Sequence, residues 1–261
     1  MADCLLWKLQ SRNPSEVSFL FGSMHVKDKR AIELAKPAMD LLSKLDVLYL
    51  EVNPLELDPS AMSSAFKLPE GLVLRDLYPE KSYERLKVSL IKYAGIDPDK
   101  YTGFLPLYLL NLAYESMLST DYGYPMDILF FNLAREKGLT IQGLETFEEQ
   151  LSKFNEVPLK VQANALMDLS RRYTSHRRKL KELFYEYLDQ NIHTLYRKNK
   201  NQLGPLRKPF LYDRNFLMAD RISDSIVGNN SLFVVGAAHL SGKYGLIRLL
   251  RSSGIKITPV S

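Results

Sequence analysis

Two of the four histidines occupy the same local setting. Gly22-Ser23-Met24-His25 and Gly236-Ala237-Ala238-His239 each follow an apolar run and precede a helical pattern. In an open parallel sheet the turns after the carboxyl ends of strands line the ligand crevice, and a glycine there lets the backbone turn sharply. Two imidazoles carried on such turns can meet at one edge. Glu51 closes the next apolar run, "DVLYLEV", so a parallel arrangement places its carboxylate on the same rim as His25. Glu145, in "QGLET", ends another short run and offers a second carboxylate. Two imidazoles with one or two carboxylates can bind a divalent transition ion and leave a position for water. Such an ion acidifies that water and polarises a carbonyl. Each residue also has a plainer reading: the histidines as turn hydrogen-bonders, Glu51 as a cap or rim charge, Glu145 as an acid favoured near a helix start. The repeated setting favours chemistry for the histidine pair, and Glu51 goes with it. His176 and His193 fall in a long amphipathic pattern and read as structural or surface residues.

The elements that must position these groups follow from periodicity. "VSFLFG" is a strand, residues 30–45 carry a helical pattern, and "DVLYLEV" has the continuous apolar character of a strand covered on both faces. That unit reads as strand, crossover helix, parallel strand, with a right-handed connection. The chain's end repeats the plan: "SLFVVG", a helix over 243–251 stopped by Gly254, then "IKITPV". "LTIQGLE" is a further short strand after a helix over 126–137 that Gly138 terminates. Apolar spacing at three and four residues marks helices over 83–93, 105–117 and, at greatest length, 161–196. These elements predict an α/β (α+β) fold with a central mixed, partly parallel sheet, strand-GxxH-helix units at both ends and large helical insertions. One domain spans 1–261, with the insertions at about 55–120 and 155–210. Tyr93, Tyr101, Phe104, Tyr108, Tyr114, Tyr122 and Tyr124 either wall a groove for an extended peptide or pack as core, and core packing is the stronger reading.

Composition removes several classes. With 46% hydrophobic and 25% charged residues in 261, the chain can cover a sizeable core. The net charge of +5 is concentrated between Lys160 and Arg214, where Arg171, Arg172, Arg177, Arg178 and their neighbours read as a solvated helix face. No nucleic-acid partner is expected. Cys4 is the single cysteine, which excludes an intramolecular disulfide and a structural zinc site built on several thiolates. The longest apolar stretch, near 104–114, is too short for a membrane span. The chain as given reads as soluble, and removal of a leader or anchor would leave its compartment open. There is no GxSxG elbow, HExxH helix or GxGxxG turn. The segment 236–244 misses a phosphate loop, with five residues between Gly236 and Gly242 where four are needed and Tyr244 in the hydroxyl position.

Taken together, "FLFGSMH", "LYLEVN", "GLETFEEQ", "RN" at Arg214 and Asn215 followed by "MADRI", and "VVGAAHLSGKYGLIRLL" resemble the TraB/GumN family over nearly the whole chain. That family is related to the Tiki metalloproteases and, more remotely, to erythromycin esterases and ChaN-like proteins. The resemblance implies two GxxH motifs, a glutamate and an arginine at one active site, and metal-dependent peptide hydrolysis with manganese or cobalt ahead of zinc. By motif match, His25, His239 and Glu51 take the metal roles, with Glu145 as a further carboxylate for the ion or for water activation. Arg214 becomes a clamp for an oxyanion or carboxylate, its plainer reading being a salt bridge to Asp213 or Asp220, and Asn215 a hydrogen-bonding residue that orients a ligand. The expected partner is a peptide or protein substrate. Two alternatives remain in this reading: a binding protein for haem, metal or peptide without turnover, and a metal-free ester hydrolase with a histidine base.

Overall fold

A computed structural model describes residues 3–11, 16–56, 64–118 and 120–260. Its six strands are β1 (Leu6–Gln10), β2 (Val17–Ser23), β3 (Val47–Leu50), β4 (Thr140–Gly143), β5 (Ser231–Gly236) and β6 (Lys256–Pro259). They form one mixed sheet in the order β4-β3-β5-β2-β1-β6. β2, β5, β3 and β4 run parallel, while β1 pairs antiparallel with both β2 and β6. Every residue of β3 and all but the last of β5 are buried, as expected of central strands covered on both faces. β4, at the edge, alternates exposed and half-buried positions. The fold class is the mixed α/β one that the periodicity predicts.

The first strand-helix-strand unit has an unforeseen insertion. β2 leads through α1 (Lys29–Leu41) and a 3₁₀ turn at Leu42–Lys44 into β3, and all of its strands are parallel. β2 and β3 are not neighbours, however. β5, from the far end of the chain, lies between them and pairs Leu232 with Phe19 on one side and Leu48 on the other. Asp28 starts α1, its buried carboxylate accepting from the Arg30 backbone N–H at 2.9 Å. β1 is a strand that the apolar pattern did not single out.

The chain divides into two compact units. The first comprises residues 1–56, 120–147 and 183–261 and contains the sheet. It also holds α4 (Met126–Glu136), which ends before Gly138 at φ +72°, α8 (Ile192–Leu203), α9 (Arg214–Ser225) and α10 (Leu246–Ser252). The second comprises residues 57–119 and 148–182. There α2 (Glu80–Ala94), α3 (Pro106–Glu115) and α6 (Leu159–Arg171) enclose a core of Tyr83, Leu86, Leu90, Leu109, Leu166 and Leu169, with α5 (Phe147–Asn155) leading into the unit. Phe104 stacks on Tyr108, Tyr101 meets the first edge-on and the second at a tilt, and all three pack against this core; Tyr93 stacks on Tyr173. Tyr101, Phe104, Tyr108 and Tyr114 thus pack against the core, whereas Tyr93 and Tyr124 are exposed.

The long amphipathic pattern over 161–196 is three helices: α6, α7 (Tyr173–Leu188) and α8. The second break falls at Gln190, the one non-glycine residue at positive φ (+55°) among the described residues. Asn191 then caps α8, its side-chain oxygen accepting from Thr194 N–H at 3.0 Å. No helix among the described residues is long and apolar enough to cross a membrane.

Candidate functional site

The carboxyl ends of the parallel strands lie along one edge of the first unit. Ser23 of β2 is in register with Gly236 of β5, so the GSMH and GAAH turns leave the sheet side by side. Gly22 permits this proximity. A Cβ there would lie 2.6 Å from Leu240 Cδ1 and 3.1 Å from Ala237 Cα, closer than packed carbons allow. The buried Tyr187 hydroxyl fixes the same turn by donating to Gly22 O at 3.0 Å.

Glu51 follows β3 on the other side of β5. Its Oε1 accepts the Gly236 backbone N–H at 2.6 Å, and its Oε2 accepts from Arg214 Nη2 at 2.6 Å. The bare Cα of Gly236 makes the first bond accessible, since a Cβ would stand 3.3 Å from Glu51 Oε1. Glu145, only 3% exposed, receives Arg214 Nε at 2.8 Å and Nη2 at 2.5 Å on Oε2. Arg214 is therefore held by both glutamates and not by Asp213 or Asp220; Asp213 pairs with Lys208. Burial would raise the Glu51 carboxyl, but the Arg214 charge, His239 and the Gly236 N–H together hold it down at about 2. For Arg214, burial acts downward and is outweighed by the two carboxylates, so the guanidinium stays charged. Its Nη1 has no protein partner among the described residues.

His239 is buried, and its protonation is determined by Asn215. Asn215 Nδ2 donates to Tyr244 O at 2.6 Å, which orients the amide so that Oδ1 faces His239 Nδ1 at 2.5 Å. A carbonyl oxygen can only accept, so Nδ1 carries the proton and Nε2 keeps a lone pair. That lone pair lies 4.0 Å from Glu51 Oε1. Burial pushes the imidazole down to about 4, against the upward pull of Glu51, so the ring is neutral at pH 7. Asn215 is itself fully buried and engaged within the protein. Both polar atoms of its side chain have protein partners, Oδ1 at His239 and Nδ2 at Tyr244 O.

His25 is more open. Its side chain is about half-exposed, with Nδ1 2.8 Å from Asp127 Oδ1 in the first turn of α4. Asp127 was not anticipated; the signal was an acid one residue into a helix that starts after Pro125. His25, His239 and Arg214 line one cavity of about 350 Å³, lying entirely within the first unit. His193 and His176 lie elsewhere. His193 Nδ1 meets Ser241 Oγ at 2.5 Å behind the second GxxH turn, and His176 bridges Asp168 and Tyr114 in the second unit.

The donor chemistry suits a divalent cation. His239 offers a neutral nitrogen lone pair whose other nitrogen donates to a carbonyl, the usual support for a metal-ligating imidazole. Beside it, the Glu51 and Glu145 carboxylates both face the Arg214 guanidinium. Among the described residues, no three His, Cys, Asp or Glu side chains are gathered around one point. Glu51 and His239 form a pair, and His25 shares the cavity with His239.

The model of the TraB/PrgY/gumN family matches residues 5–259. The chain is also similar to the Metalloprotease TIKI2 of Danio rerio, at 23% identity over 310 residues, covering 97% of this chain and 60% of that protein. The chain thus spans less than two thirds of the length of that curated relative.

Proposed function

The chain belongs to the TraB/PrgY/gumN family, and from that premise we propose that it is a divalent-metal-dependent hydrolase that cleaves peptide bonds. The observation that carries the reading is the register of β2 and β5, which brings two GxxH turns together so that both imidazoles and Arg214 line one cavity. His239, Glu51 and His25 would hold the ion, manganese or cobalt before zinc. A divalent ion there supplies a Lewis acid that acidifies water and polarises a carbonyl. Asn215 keeps the His239 Nε2 lone pair turned to Glu51. Glu145 holds Arg214 in place, and the Arg214 Nη1 hydrogens are left to bind a carbonyl oxygen as it gains negative charge.

The test is cleavage of a peptide library by protein stripped with a chelator and refilled with manganese, cobalt or zinc. Activity should disappear on stripping and return with metal. Equal cleavage under all conditions would refute the metal requirement, and no cleavage under any would refute the hydrolase. Glu51→Gln should abolish turnover while sparing peptide capture, which separates an enzyme from a binding protein.

A further inference from the structure

The cavity beside the two GxxH turns is lined by both polar and apolar side chains. Its polar contributors are His25, His239, Arg214, Ser23 and Asn199. Its larger apolar contributors are Leu183 of α7, Leu195 and Leu203 of α8, Phe210 and Leu211 of the π-helical turn at Lys208–Asp213, and Met24. No acidic side chain lines it, and its one cation, Arg214, is already bound to Glu51 and Glu145. The hydroxyl of Tyr187, another lining residue, is occupied by Gly22 O. A basic side chain entering this space would lose its hydration without meeting an acidic partner, and an acidic one would meet only the Nη1 edge of an arginine whose charge Glu51 and Glu145 already offset. An aliphatic or aromatic one would replace water against six apolar walls. At about 350 Å³ the space is within the range of ligand pockets, large enough for a bulky side chain with its adjoining backbone.

We infer that this cavity is a specificity pocket for a bulky uncharged side chain, of leucine, methionine or phenylalanine type, in the residue adjoining the bond that is cut. The inference rests on the hydrolase reading for its placement beside the scissile bond. Its apolar preference is a property of the cavity alone. Phe210 and Leu203 are half-buried and set the pocket's size.

Two measurements test it on the full chain. The first is cleavage-site profiling on a proteome-derived peptide library with metal-loaded protein. Leu, Met and Phe should be enriched at one position next to the cut bond, with Ala disfavoured there by at least about tenfold and Asp, Glu, Lys and Arg nearly absent. Leu203→Trp should move the preference toward small residues, and Phe210→Ala should widen it to larger aromatics. The second uses chelated, non-turning-over protein with methyl NMR of Leu195, Leu203 and Leu211, titrated with capped Ala-Xaa-Ala peptides. Xaa as Leu or Phe should shift these methyls, and Xaa as Lys or Glu should not. Cleavage without apolar enrichment, or equal methyl shifts with charged and apolar peptides, overturns the pocket and leaves the hydrolase standing. Selective apolar binding without any cleavage supports the pocket and defeats the hydrolase.

Discussion

Replacing Arg214 with methionine removes the cation that pairs with both Glu51 and Glu145 and keeps most of the side-chain volume. Holding the Glu51 carboxyl at about 2, against an ordinary 4.5, is worth about 3 kcal/mol at roughly 1.4 kcal/mol per pH unit. Glu51 is about a quarter exposed, so this is an upper bound. Because the folded value is depressed, this stability is fully present above pH 4.5 and is lost as pH falls toward 2. In Arg214→Met the burial that opposes ionisation is left unbalanced, so Glu51 binds its proton more tightly when folded and the variant gains stability on acidification. Leaving buried carboxylates without their partner costs about 3–5 kcal/mol near neutrality. Urea unfolding of chelated protein, followed by circular dichroism between pH 3 and pH 7, should show a wild-type advantage that is largest at pH 7 and shrinks steadily toward pH 3. Acids that Arg214 does not touch titrate alike in both proteins and cancel in the difference. A gap independent of pH would mean that Arg214 stabilises by packing alone, and the electrostatic account of the site would fail.

The second GxxH turn should report on Asn215 directly. In Asn215→Leu, ¹⁵N shifts of His239 should show loss of the Nδ1–H tautomer, and metal affinity should fall about 10- to 100-fold; an unchanged tautomer would show that Asn215 does not orient the ring. Burial depresses His239 from 6.5 to about 4, so in the wild type its ring should stay neutral down to about pH 4, and the stability tied to it should be lost as pH falls from 6.5 to 4. A ring already charged at pH 6 by NMR would contradict this. Gly22→Val should cost about 1–3 kcal/mol in urea unfolding, since its Cβ meets Ala237 Cα as well as a flexible leucine end; a neutral result would mean the two turns can separate. Tyr187→Phe should cost about 1–3 kcal/mol by leaving Gly22 O without its buried donor, and an unchanged unfolding midpoint would argue against that bond.

Much of the fold was legible because the parallel strands carry their signal locally. "VLYL" and "LFVV" are continuous apolar runs, and the strand residues found there are buried throughout. β1 was not legible. "LWKLQ" is five residues long with a lysine at its centre, and its pairing with β2 and β6 depends on partners that no local window contains. The break at Gln190 was hidden for the opposite reason: Leu188, Ile192 and Leu195 continue the helical spacing across it, and neither Gly nor Pro marks the positive φ. The position of β5 between β2 and β3 is likewise a property of topology, and it brings the second GxxH turn beside the first.

The site divides along the same line between local and long-range information. Both histidines and Glu51 could be nominated because each sits at the end of a recognisable strand. Their interactions could not be read, since Arg214 reaches 163 residues back to Glu51 and 69 back to Glu145. Those contacts change how the parts work together. With Arg214 bonded to it, Glu51 stays ionised despite burial, and an ionised Glu51 is what pulls upward on the proton affinity of His239. Burial nevertheless prevails at His239, so the ring is neutral with a lone pair facing a carboxylate 4.0 Å away. A neutral nitrogen donor and an ionised oxygen donor, kept in those states by different neighbours, are the pair that the proposed metal site requires. The arginine supplied by α9 is what keeps Glu51 in that state.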